Sequence, residues 1–159
     1  MPASGTVTLR FTSRWPYNPV SLLIATFTGS RFFSHVVAII GERAYEASMT
    51  HGCRATAIPD VMKGVVRYQD MLVEVPDLDA VMAFGEAQHG KPYDFGGAFA
   101  LPLLSSDDWN DDHKWWCSEL AFAMLMAGGV TLLDPQERHR VTPNDLYQCF
   151  YPKSELMRA

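Results

Sequence analysis

Three side chains of this 159-residue sequence have the types and settings for acyl-transfer chemistry: Cys117, His35 and Glu46. Cys117 lies near the start of Trp115–Ala127 (WWCSELAFAMLMA), whose nearly continuous apolar character and terminal Gly128-Gly129 predict a helix buried on most sides, with the cysteine in its first turn. Unpaired N–H groups and the macrodipole at a helix start stabilise a thiolate, which is the nucleophilic form. The competing reading is packing, with a small soft side chain fitted between Trp115, Trp116 and Leu120. His35 falls inside Phe32–Ile40 (FFSHVVAII), a β-branched run in which an imidazole must find hydrogen-bond partners for both ring nitrogens. Paired with a thiol it is a general base; paired with backbone it is structural. Glu46, in the following run Ala44–Ser48 (AYEAS), can sit beside His35 across a hairpin, accept its second ring N–H and fix the tautomer. The alternative for Glu46 is an exposed strand position, and His51 is a weaker substitute for the third place.

Other chemistries find no anchor. The three cysteines, Cys53, Cys117 and Cys149, are odd in number and contain no C-x-x-C, which speaks against a disulfide framework and against a four-cysteine metal site. The five histidines show no H-E-x-x-H spacing, and the run containing Asp107, Asp108, Asp111 and Asp112 lacks the glycine and terminal glutamate of a calcium loop, so it reads as a solvated loop. No glycine-rich phosphate cradle occurs, and no cofactor or metal is expected. A net charge of -5 with scattered Lys and Arg argues against nucleic acid as a partner. The apolar runs Val20–Phe27 and Leu120–Ala127 fall far short of the roughly 20 residues of a membrane helix, so no transmembrane segment is expected. MPASGTVTLRF does not read as a secretory signal; the expectation is a cytoplasmic location at synthesis, with any delivery to the cell envelope left to another system.

The elements that must position these residues follow from punctuation and period. Thr6–Thr12 alternates as a half-buried strand, followed by a turn at Trp15–Pro19 and a short buried helix over Val20–Thr28. Phe32–Ile40 and Ala44–Ser48 form a hairpin, and Arg54–Ile58, Val65–Gln69 and Met71–Val75 add three strands to an antiparallel sheet. From Asp77 the spacing becomes helical for about twelve residues, with Asp77 as cap and Gly90 as the stop. Thr142-Pro143 opens a last short helix. With no repeat or linker, the chain reads as one α+β domain over residues 1–159.

Taken in order, Ser34-His35-Val36, Tyr45-Glu46-Ala47, Gly90-Lys91-Pro92-Tyr93-Asp94, Trp116-Cys117-Ser118-Glu119-Leu120 and Thr142-Pro143 with Asp145-Leu146 resemble the circularly permuted branch of the NlpC-type papain-like cysteine hydrolases, the group of YiiX-like and lecithin:retinol acyltransferase-like proteins. The resemblance implies a permuted papain-like fold in which an antiparallel sheet packs against helices. It also implies Cys117 as nucleophile, His35 as base, Glu46 as orienting residue and the Cys117 N–H as an oxyanion donor. The implied activity is that of a cysteine hydrolase, an amidase or peptidase acting on a cell-wall peptide or similar acyl-amide. Tyr93, Trp115, Trp116 and Trp109 are candidates for a substrate groove, with core packing as their alternative. The other readings are a lipid-directed acyltransferase or phospholipase of the same fold, and a catalytically silent binding module.

Overall fold

Alternation in TVTLRFT sends Val7, Leu9 and Phe11 to one face, and a computed structural model, described for residues 2–14, 33–95 and 113–150, realises this as strand β1 (Gly5–Ser13) with all three side chains fully buried. Strands β2 (His35–Ile40) and β3 (Arg43–Ser48) form the expected hairpin, turning at Gly41, whose φ of 58° suits a residue without Cβ. Strand β4 (Gly52–Ala57) pairs with β3, and β5 (Arg67–Val75) pairs with β1. The result is an antiparallel five-stranded sheet in the order β4-β3-β2-β1-β5, within a mixed α+β chain.

Several strand boundaries differ from the sequence expectation: β2 begins at His35 instead of Phe32, β4 at Gly52 instead of Arg54 and β5 at Arg67 instead of Val65. The separate strands Val65–Gln69 and Met71–Val75 are one continuous strand. Asp70, a poor strand former, is held in the ladder opposite Arg10, which donates two N–H groups to its carboxylate at 2.7 Å each. The strand expected over Arg54–Ile58 stops at Ala57, because Pro59 starts a single-turn helix, α1 (Ile58–Val61). The turn and helix expected over Trp15–Thr28, Trp109 and the four aspartates Asp107, Asp108, Asp111 and Asp112 lie outside the described residues.

Helix α2 (Leu78–Ala87) has ten residues where about twelve are expected, and Asp77 caps it by accepting the Ala80 N–H at 2.9 Å. A Cβ on Gly85 would come within 2.7 Å of Tyr45 and 2.8 Å of Met124, so glycine there lets α2 lie close to both β3 and the next helix. That helix, α3 (Cys117–Ala127), is buried along nine of its eleven residues and ends at Gly128-Gly129 as expected. Gly129 (φ 87°) donates to Met126 and Val130 to Leu125, the paired bonds of a Schellman turn. A 3₁₀ helix (Pro135–Arg140), unassigned by the sequence reading, leads into α4 (Pro143–Gln148).

The main core fills the space between α3 and one face of the sheet, joining Leu9, Phe11, Val36 and Ala38 to Phe122 and Leu125. Val37, Ile39 and Ala44 point to the opposite face and pack on Val61 of α1. Among the described residues no helix is long and apolar enough to cross a membrane.

Candidate active site

The hairpin strands β2 and β3 stay paired only from Ile40–Arg43 to Ala38–Tyr45. Beyond that point β2 continues with β1, as far as His35 opposite Thr12, while β3 continues with β4, as far as Ser48 opposite Gly52. The two strands therefore part at the end that carries His35, and the first turn of α3 meets the parting. Its Cys117 thiol lies beside the His35 side chain and the backbone N–H groups of Val36 and Ser118, all of which act on the sulfur's charge. A backbone donor that a continued β2–β3 ladder would use lies beside the sulfur instead.

Glu46 follows the last ladder pair on β3 and reaches His35 diagonally, with Oε2 2.9 Å from Nε2. Because Nε2 is occupied by the carboxylate, Nδ1 is the ring nitrogen left for the sulfur. Glu46 is 2% exposed, and its second oxygen accepts from Arg54, its cross-strand neighbour on β4, at 2.8 Å from Nε and 2.6 Å from Nη2. Glu46 and Arg54 share the sheet face of Ala44, opposite to the face covered by α3. The sulfur and the carboxylate thus come from the two faces, and His35, on the terminal residue of β2, joins them. Its side chain is one-fifth exposed, so solvent reaches the group at the imidazole.

The electrostatics single out one thiol. Burial pushes Cys117 up, but its hydrogen bond and charge interaction with His35, then the Val36 and Ser118 N–H groups, overcome this and lower it. Burial alone pulls His35 down, while Cys117 and then Glu46 raise it to about 10. Burial likewise works against ionised Glu46, and His35 and Arg54 together lower it to about 2. Each of these interactions favours the charged form of its group: thiolate at Cys117, imidazolium at His35 and carboxylate at Glu46. Cys53, in contrast, is raised to about 12, chiefly by burial, and Cys149 is raised by burial and by Asp145.

The Gly90–Asp94 segment ties the site to the rest of the sheet. Gly90 N–H donates to the Cys53 carbonyl and Cys53 N–H to the Lys91 carbonyl, both at 2.9 Å, while Trp115 N–H donates to Pro92 and Asp94 N–H to Trp115. A Cβ on Gly52 would fall 2.5 Å from the Lys91 oxygen, so this stitching requires glycine there. It sets Tyr93 near Cys117, close enough for the sulfur's charge to add to burial in raising the phenol well above its ordinary value.

Trp115 and Trp116, expected as candidates for a groove or for the core, are both core residues here, 2% and 1% exposed. Trp115 Nε1 donates to Gln88 Oε1 at 3.1 Å, and Arg138 lies over its ring at 5.0 Å. Trp116 is the N-cap residue of α3 and supplies no side-chain cap. Arg54 and the Val36 N–H are the members of the site that sequence reasoning missed. The β3–β4 register would have exposed Arg54, since it sits directly opposite Glu46; nothing in residue type marks a backbone N–H. Among the described residues no cluster of His, Cys, Asp and Glu could hold a metal ion. No protein-family model and no curated protein matches this chain.

Proposed function

We propose that this chain is a thiol-dependent acyl-transfer enzyme, a cysteine hydrolase that cleaves an amide in a cell-wall peptide or similar acyl-amide. The observation that carries the reading is the convergence of Cys117, His35 and Glu46, with Cys117 alone among the three thiols lowered while Cys53 and Cys149 are raised. The chain order of histidine strand, carboxylate strand and cysteine helix supports a permuted papain-like arrangement, in which roles are fixed by space and not by sequence order.

In this reading the Cys117 thiolate attacks the carbonyl carbon and the carbonyl oxygen takes up the electron pair. The Cys117 N–H, in the unpaired first turn of α3, and the Tyr93 hydroxyl, kept protonated, offer donors to that oxygen. The C–N bond then breaks as imidazolium His35 gives its proton to the departing amine, leaving an acyl-thioester on Cys117. Water, deprotonated by His35, attacks the thioester and restores the thiolate with release of a carboxylic acid. Glu46 stays ionised throughout and stabilises the imidazolium.

The test is a panel of cell-wall peptides and acyl-amides incubated with the protein and with Cys117→Ala, the covalent adduct being read by mass spectrometry. The expected result is amine release by the native chain alone, with a peptide-derived acyl group on Cys117. Acylation from liposomes with no peptide adduct would replace the amidase by a lipid-directed acyltransferase, and the absence of any adduct would leave a binding module.

A further inference from the structure

Glu46 and Arg54 face one another in the β3–β4 register, so the carboxylate that reaches toward His35 has a guanidinium at its other oxygen. Nε and Nη2 of Arg54 both converge on Oε1, and Oε2 is left to His35. Each oxygen has its own neighbour, which fixes the carboxylate against rotation. The charged groups around it are His35 from β2, Arg54 from β4 and, next to Arg54, Asp60 of α1, itself held by Thr56 at 3.1 Å and Lys63 at 2.8 Å. A carboxylate this deeply buried loses the hydration of its charge, and an ion pair offsets that loss.

We propose that Arg54 is a positioning residue for acyl transfer: by occupying Oε1 it turns Oε2 to His35 and keeps Glu46 ionised, so that the imidazole stays aimed at the Cys117 sulfur. The proposal rests on the reading of Cys117 as nucleophile. Arg54 acts through Glu46, and its planar fork, with two N–H groups on a single oxygen, is something lysine cannot reproduce.

The experiment measures the iodoacetamide alkylation rate of each cysteine in the full chain against pH, for the native protein, Arg54→Gln and Arg54→Lys, with thermal melting as a record of folding. Arg54→Gln is expected to slow Cys117 about tenfold on the acid limb, moving the limb up by about one pH unit. Arg54→Lys keeps the charge and is expected to slow it about threefold. If Arg54→Gln fails to fold, the lysine variant decides by the same measure. A lowered melting temperature with an unmoved limb in the folded variants overturns the positioning role and leaves the nucleophile intact. Native Cys117 reacting no faster than Cys53 and Cys149 overturns the nucleophile, and the proposal with it.

Discussion

Two helices of this chain begin in opposite ways. At α4 the Thr142 hydroxyl accepts the Asp145 N–H at 3.1 Å and the Asp145 carboxylate accepts the Thr142 N–H at 2.8 Å, a closed capping box. At α3 the N-cap is Trp116, which makes no side-chain cap, and the Ser118 N–H turns to the Cys117 sulfur. The two starts are joined by the Ser118 hydroxyl, which donates to the Val141 carbonyl at 2.6 Å. The difference is one of use: α4 closes its free donors within its own first turn, whereas α3 leaves them beside the Cys117 sulfur and relies for its stability on a buried length. A helix start can favour stability or anion chemistry, and here adjacent starts divide the two.

The largest expected effect that tests this division is at Cys117. Cys117→Ala should lower amide hydrolysis by about 10³-fold or more while the chain still folds, as read by turnover and by melting. His35→Ala should slow alkylation of Cys117 about 100-fold near neutral pH, because only the Val36 and Ser118 N–H groups would then oppose the upward push of burial on the thiol. An unchanged rate would mean that the helix start alone sustains the thiolate.

Glu46 comes next, and its effect is on stability as well as chemistry. Its pKa is depressed from 4.5 to about 2, so its contribution is present above the unfolded value and is lost as pH falls through about 2. That shift corresponds to about 3 kcal/mol. Glu46→Gln should destabilise by that order at neutral pH and flatten the loss of stability between about pH 5 and 2, measured by urea unfolding at several pH values. The smallest effect belongs to the closed start. Thr142→Ala should cost about 1 kcal/mol in urea unfolding and leave Cys117 alkylation unchanged, and a slowed thiol would show that the two starts are coupled through Ser118.

Much of this arrangement is legible in local pattern. Alternation gives β1, β-branched residues around a glycine turn give the β2–β3 hairpin, and Asp77, Thr142 and Gly128-Gly129 mark helix ends by their own chemistry. Cys117 and His35 stand out within their own segments, whereas Glu46 stands out only through its hairpin position beside His35. What escaped depends on partners distant in sequence. Asp70 reads as a break until Arg10 of another strand is set against it, and Arg54 reads as an ordinary strand arginine until the register places it opposite Glu46. Pro59 ends β4 by opening a helix of one turn, too short to carry a period of its own. The parting of β2 from β3 is a property of pairing and has no residue of its own to announce it.

That parting also gives the site a spectroscopic address. Most strand amides bond to a carbonyl whose charge never changes, but the Val36 amide lies beside a titratable sulfur and acts on its charge. Its proton resonance should follow the titration of Cys117 directly and shift again when an acyl group caps the sulfur. One isotope-labelled backbone amide then reports, without added probe or chromophore, which form of the thiol is present at each pH.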